Sequence, residues 1–392
     1  MAMRRLIEMI TRRVTIKPLL TFMILTTSIL FNTGTLHAKT VSTNPIKVTF
    51  ISPDVKGNPY WDFVTNTMLQ AANNFGIQLK VIHTNRHDLH DESILLTKLS
   101  KMEKPDYLIY VYQYNLGKRL LEFGEKNQIN SFILNTNISE VDYKKIGRPT
   151  EKYKFWIGHS YADLSNISAH LSKKVYNLAK PLNNFKGDKN VYGIVLSGSR
   201  DTDVASQWNH GAIQADNELD DYQIKQIVYT NFNADKGYEK AKGLLQRYPE
   251  ISVILSLDET VALSAIKAAE EVGRKPGEDI FIAGSASLLP TFKMMEEKKL
   301  VATYALSMWL GVHSIVYLYD QHLELNHSEK EFTYNYDDTV ISTNQIPTYL
   351  KMISEDRWKN IDYRSFSYAF SPQLRKYDFS IQAFERAMIP VE

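Results

Sequence analysis

The sequence predicts an α/β protein of two doubly wound, Rossmann-like lobes with parallel sheets, joined by a multi-strand hinge. Three observations carry this. From Ile46 onward, short β-rich runs alternate with segments of helical periodicity, the pattern of a parallel sheet covered by helices on both faces. The alternation completes one unit and restarts after Phe155-Trp156-Ile157-Gly158. The 392 residues are also too many for one ordinary core.

The elements follow in order. Ile46–Ile51 (IKVTFI) is the first strand, and a helix over Trp61–Phe75 repeats Phe63, Met68, Ala71 and Ala72 at helical spacing until Gly76 ends it. A strand over Ile77–Ile82 leads to a helix over Asp91–Met102 that turns Ile94, Leu95, Leu99 and Met102 inward. The strand Asp106–Val111, the helix Leu116–Asn127 and the strand Ser131–Leu134 close the first unit. In the second unit, helices are expected over Asp163–Leu178, Ala205–Glu218, Ala234–Arg247 and Ala262–Val272. Strands are expected over Val191–Leu196, Tyr222–Tyr229, Val253–Leu257 and Ile280–Ala283. There is no sequence repeat, so the two units share topology alone. Open parallel sheets bind ligands beyond the carboxyl ends of their strands, and two such lobes in series would face those ends across a cleft.

Composition narrows the function classes. Arg4, Arg5, Arg12, Arg13 and Lys17 against Glu8 give the first 38 residues a charge of +4, so of the net +2 the remainder carries −2. A mildly acidic chain gives no reason to expect nucleic-acid binding. The apolar run Leu19–Phe31 is short for a bilayer, and Thr35-Leu36-His37-Ala38 ends in a small residue, so residues 1–38 are expected to be a cleavable signal peptide. The destination is then the periplasm. Thr11-Arg12-Arg13 leaves the twin-arginine route open beside ordinary secretion. Cysteine is absent, which removes disulfides, thiolate metal sites and a cysteine nucleophile.

Several motifs point into the expected cleft. Gly57-Asn58-Pro59-Tyr60-Trp61 lies in the loop from the first strand to its helix, where flat rings offer stacking surface to a sugar's C–H face and an amide bonds its hydroxyls. The same rings could instead pack the start of the helix. Asp258 and Glu259 end a strand and open a helix, where a carboxylate can cap the helix or accept from ligand hydroxyls. His83, His87 and His90 have no convincing metal spacing and read as solvated. No nucleophile elbow or P-loop is present, so an enzyme is not expected, and no cofactor or metal site is expected either.

Leu257-Asp258-Glu259-Thr260-Val261-Ala262-Leu263-Ser264-Ala265, with GNPYW and Lys299-Leu300-Val301-Ala302-Thr303, resembles the type I periplasmic binding proteins, the ribose- and galactose-binding solute receptors of ABC importers. The resemblance runs from Ile46 to about Ile346. It implies a monomer that closes on a small polar, sugar-like ligand and is read by an ABC permease or, in a sensory relative, by a membrane kinase or chemoreceptor. It implies ligand contacts from Asn58, Tyr60, Trp61, Asn135, Asn137, Arg200, Trp208, Asp258 and Glu259. The family's Asp-Arg after the fourth strand is replaced by Asn135-Thr136-Asn137, and its later arginine position falls near Ser206. Lys104–Ile109 and Ile133–Ser139 also resemble the autoinducer-2-binding receptors, although the arginines expected to hold that ligand fall at Ala205 and Ala305.

The resemblance divides the chain into a first lobe of 44–158 plus 306–331 and a second of 159–305 plus 332–345, with crossings near Gly158, Ser307 and Glu331. An aromatic-rich extension over 346–392, with Trp358, Tyr363, Phe366, Tyr377 and Phe384, is expected to pack on the lobes. Trp61→Ala is expected to spare the fold and weaken binding.

Overall fold

The computed structural model describes residues 44–84, 89–113, 116–136, 138–185, 189–200, 202–285, 288–325, 330–334, 341 and 345–388. The leader expected at 1–38, His87 and Asn137 lie outside them.

The first lobe is built from β1 (Lys47–Ser52), α1 (Pro59–Phe75), β2 (Gln78–His83), α2 (Leu89–Lys101), β3 (Tyr107–Tyr110), α3 (Leu116–Asn127), β4 (Asn130–Leu134), α4 (Glu140–Ile146) and β5 (Trp156–Ala162). The second follows with α5 (Leu164–Phe185), β6 (Val191–Ser197), α6 (Asp203–Glu218), β7 (Tyr222–Tyr229), α7 (Ala234–Arg247), β8 (Ile251–Ser256), α8 (Glu259–Glu271), β9 (Phe281–Ser285), α9 (Leu289–Glu296) and β10 (Leu300–Tyr304). The chain then returns to the first lobe through α10 (Leu310–His322) and β11 (Glu331–Tyr334), and the extension holds α11 (Ile346–Ile353) and α12 (Ile381–Ala387).

Both sheets are parallel, in the orders β11-β5-β4-β3-β1-β2 and β10-β9-β8-β6-β7. Without the added β11, the two orders are the same. In each lobe the chain turns back between its first and third strands, so the switch points lie beyond β1 and β3 in one lobe and beyond β6 and β8 in the other. The central strands carry buried apolar runs, as strands covered on both faces must: Phe50, Ile109, Phe132, Ile194 and Ile254 are all fully buried.

Four expectations are corrected. Ile94 was placed inward, yet it is 51% exposed, because Leu95 and Leu99 alone of that group turn fully into the core beneath β2 and β3. The lobe boundaries after residues 158 and 331 fall inside strands: β5 continues to Ala162, and β11 pairs with it through Glu331 and His159, so both belong to the first sheet. One crossing therefore comes later than Gly158, between Ala162 and Leu164, while the other lies between Ala305 and Trp309, where Ser307 was expected; Gly158 and Glu331 themselves sit within strands of the first sheet. Sequence periodicity also passed over α4 and α9, of seven and eight residues, which are too short to display a full amphipathic repeat.

The extension lies against α1 and α10. Trp309 stacks near Phe384 with ring centroids 4.4 Å apart, and Gln70 Nε2 donates to the Lys359 carbonyl at 2.8 Å. Asp320, fully buried on α10, anchors the next turn by accepting from the Tyr368 main-chain N–H at 3.0 Å, the Tyr377 hydroxyl at 3.1 Å and the Ser367 hydroxyl. Tyr349 of α11 packs on Phe292 of the second lobe, with centroids 4.8 Å apart, and donates to the Met308 sulfur.

Candidate functional site

The loop after β1 is shaped by its own polar groups. Asn58 has extended backbone and caps α1, its Oδ1 accepting from the Trp61 N–H at 3.1 Å while its Nδ2 donates to Asp54 at 3.1 Å. A cap of this kind stabilises a helix by about 1 kcal/mol. Pro59 at the first helical position costs no hydrogen bond, since that N–H has no helical partner. Asn58 thus has a structural duty at the mouth of the first switch point.

The two rings that follow have separate fates. Trp61 is 7% exposed and lies in the first-lobe core against Phe50, at 6.5 Å between centroids. Tyr60 is half-buried, sits edge-on to Trp61 at 5.1 Å, and accepts at its hydroxyl from Asn135 Nδ2 at 3.2 Å. The expectation that both rings wall the cleft is therefore corrected: Trp61 supports Tyr60 from below. Replacing it would remove core volume, a cost that stands against the expectation that Trp61→Ala spares the fold.

Asn135 follows β4 with φ 55°, in the left-handed region that asparagine enters more readily than other non-glycine residues. Its main-chain N–H donates to the Ser160 carbonyl at 2.7 Å. The conformation places its amide on Tyr60, so loops from two strands meet.

On the second lobe, Asp258 has extended backbone and its Oδ1 accepts from the N–H groups of Thr260 and Val261 at 2.9 and 3.1 Å. Glu259 is 4% exposed and accepts from the Leu288 N–H at 3.0 Å and the Thr291 hydroxyl at 2.8 Å, tying α8 to the start of α9. Of these neighbouring carboxylates, the half-buried Asp258 lies at the switch point and Glu259 is an internal strut, a correction to its expected ligand contact. Trp208, also expected at the ligand, is fully buried in the second-lobe core beside Tyr304 at 5.8 Å. Arg200 is exposed beyond β6, its guanidinium 4.8 Å from the Tyr229 ring centroid.

The two walls feel one another. The Tyr304 hydroxyl is held far above its usual range, first by burial, then by Tyr60 from the first lobe, and then by Asp258 and Glu259 from the second. Tyr112, just beyond β3, is raised by burial, then by Asp142 of its own lobe and Asp203 of the other. Tyr112, Asp203 and Tyr304 escaped the sequence reading. Tyr112 stands two residues after β3, and Asp203 opens α6 at the end of the loop after β6; a place beyond the carboxyl end of a central strand is the signal that could have singled them out.

Behind the Asn135 loop a network runs from buried His159 and Tyr143 to partly exposed Glu331 and exposed Arg148. His159 on β5 has Nδ1 3.1 Å from the Tyr143 hydroxyl, and its Nε2 meets the Thr136 carbonyl. The Tyr143 hydroxyl also lies 2.7 Å from a Glu331 oxygen, and Arg148 donates to both Glu331 oxygens at 3.1 Å. Burial pushes the His159 imidazole down to about 4, so it is neutral near pH 7.

Residues 164–326 match the family model described as a periplasmic binding protein domain. The fold is shared with a periplasmic sugar-binding protein from Pseudomonas fluorescens, at 23% identity and a TM-score of 0.75, covering 86% of this chain and 99% of that one. It is also shared with an ABC transporter periplasmic solute binding protein from Actinobacillus succinogenes 130z with bound D-allose, at 16% identity and a TM-score of 0.64, covering 78% and 100%. The periplasmic binding component of the arabinose ABC transporter from Shewanella sp. ANA-3, bound to L-arabinofuranose, matches at 19% identity and a TM-score of 0.65, covering 79% and 96%. The autoinducer-2 likeness rests on the sequence motifs alone.

Proposed function

Taking the chain as a type I periplasmic binding protein by its fold, we propose that it captures a small, polar, sugar-like ligand between its lobes in the periplasm and delivers it to an ABC importer. The observation that carries this reading is the Tyr60–Asn135 pair beyond β1 and β4, with Tyr60 electrostatically within reach of Tyr304 on the second lobe, which also feels Asp258 beyond β8. A phenol ring gives a stacking face, and the adjoining amide and carboxylate give in-plane partners for hydroxyls, the combination a polyol needs. Solved relatives of this fold hold D-allose and arabinose, which agrees with that chemistry.

The mechanism follows from the crossings. Ligand bound to one lobe gains the second set of contacts only when the lobes shut, so its affinity for the closed form exceeds that for the open form and shifts the population toward closure. The closed shape is what a permease would read. Thermal-shift assays with D-allose, L-arabinose and D-galactose test the reading: a ligand at a hundred times its Kd adds about 3 kcal/mol and raises the midpoint by several degrees. A midpoint unmoved by all three at millimolar concentration would count against a sugar site.

A further inference from the structure

We infer that His159 is a positioning residue for the loop after β4, acting through the Thr136 carbonyl, and that the brace it forms is one hydrogen short of complete. The inference rests on the proposed role of Asn135 and Tyr60 as ligand wall. Both main-chain groups of that loop are tied to β5: the Asn135 N–H to the Ser160 carbonyl, and the Thr136 carbonyl to the His159 ring. The ring's other side leads outward through Tyr143 on α4 to Glu331, which pairs with His159 across β5 and β11. Arg148, from the loop after α4, grips Glu331 and lies 4.3 Å over the Tyr143 ring. Tyr161 stands beside the imidazole on its own strand, at 4.8 Å between centroids, and the main-chain N–H of His159 donates to the Lys330 carbonyl.

Counting hydrogens exposes the constraint. The row Thr136 carbonyl, imidazole, Tyr143 hydroxyl, Glu331 carboxylate contains three contacts, and both ends can only accept. A neutral imidazole brings one hydrogen and the phenol another. With the hydrogen on Nε2, the loop carbonyl is held and Tyr143 donates to Nδ1, which leaves two acceptors facing between Tyr143 and Glu331. With it on Nδ1, Tyr143 donates to Glu331 and an imidazole lone pair faces the Thr136 carbonyl. The tautomer therefore decides whether the ring braces the ligand loop or the edge strand. Burial, reinforced by Arg148, keeps a third hydrogen off the ring, against the opposing pull of Thr136 and Glu331.

Glu331→Gln supplies what is missing, since its amide can donate to Tyr143, whose hydroxyl then donates to Nδ1 while Nε2–H holds Thr136. Hydrogen exchange of the peptide 134–139 should slow several-fold in this variant and quicken at least tenfold in His159→Phe. The imidazole nitrogen-15 spectrum at pH 7 should show His159 as Nε2–H alone in Glu331→Gln. Exchange in Glu331→Gln equal to or faster than wild type, or a ring that stays Nδ1–H, overturns the brace even if His159→Phe does not fold. D-allose and L-arabinose thermal shifts on the wild type judge the ligand reading separately, because the exchange measurements need no ligand.

Discussion

The two lobes share one strand order, yet they bury different chemistry. The first lobe encloses two imidazoles, His159 and His313, each wholly inside; in the second, the ring nitrogens of His170 and His210 make their contacts at exposed positions. His313 lies among Phe332, Phe379 and Tyr377, and burial pushes it down to about 3. One architecture can therefore carry two acid sensitivities. For an imidazole whose folded pKa is depressed, the unfolded chain binds the proton first, so stability falls as pH drops from the unfolded value near 6.5 toward about 4 for His159 and about 3 for His313. At about 1.4 kcal/mol per pKa unit, the two together should cost about 5 kcal/mol or more by pH 4. Urea titrations at pH 7 and 4.5 should show this loss, and His313→Phe should recover a large part of it. If the first lobe is the acid-labile one, exchange in β3 to β5 will rise before exchange in β6 to β9.

The next effect separates wall from foundation. Trp61→Ala should destabilise the first lobe by about 4 kcal/mol, because the indole fills core volume against Phe50 rather than standing in solvent. Chemical denaturation checks this. A loss below 1 kcal/mol, with ligand affinity reduced, would return Trp61 to the cleft.

Each lobe also presses a helix pair together at a glycine, and the neighbours differ in what can yield. A Cβ at Gly211 on α6 would come within 2.0 Å of the Ser165 carbonyl oxygen at the start of α5, a backbone atom fixed in its helix. A Cβ at Gly311 on α10 would meet Met68 Cγ at 2.6 Å and Val64 Cγ1 at 2.9 Å on α1, both buried, but these are side-chain atoms, which can shift further than a helix carbonyl can. Gly211→Ala should therefore cost about 3 kcal/mol and Gly311→Ala about 1 kcal/mol. Equal midpoints in the two variants would show that the helix pairs tolerate strain alike.

The sequence carried the strand-helix alternation because both lobes rely on buried β-rich runs punctuated by helix caps, and the strand Tyr222–Tyr229 and the helices Leu116–Asn127 and Ala234–Arg247 were read to the residue. It carried less of the site. Asp258 and Glu259 are adjacent and chemically alike, and only the position of α9 decides that Glu259 caps Thr291 while Asp258 stays at the switch point. Tyr60 and Trp61 are likewise adjacent aromatics on one helix turn, and the helix phase turns one into the core. The Thr136–His159–Tyr143–Glu331 row joins residues up to 195 positions apart, a relation that no local pattern encodes.

The smallest effect on stability is also the one aimed most directly at the proposed ligand wall. Tyr60→Phe keeps the ring and its edge contact with Trp61 but removes the oxygen that accepts from Asn135 at 3.2 Å. Since the position is half-buried, water can replace the lost acceptor, and the stability cost should stay below about 1 kcal/mol. Affinity should respond differently. Without its anchor the Asn135 amide can rotate, and a ligand must then order it on binding, so whichever sugar raises the wild-type midpoint should bind about tenfold more weakly by calorimetry. Asp258→Asn on the opposite wall keeps the cap geometry with a weaker acceptor, and the two losses should add if the lobes contact the ligand independently. A combined loss smaller than that sum would mean the walls act as one unit, joined by a ligand hydroxyl that both sides hold.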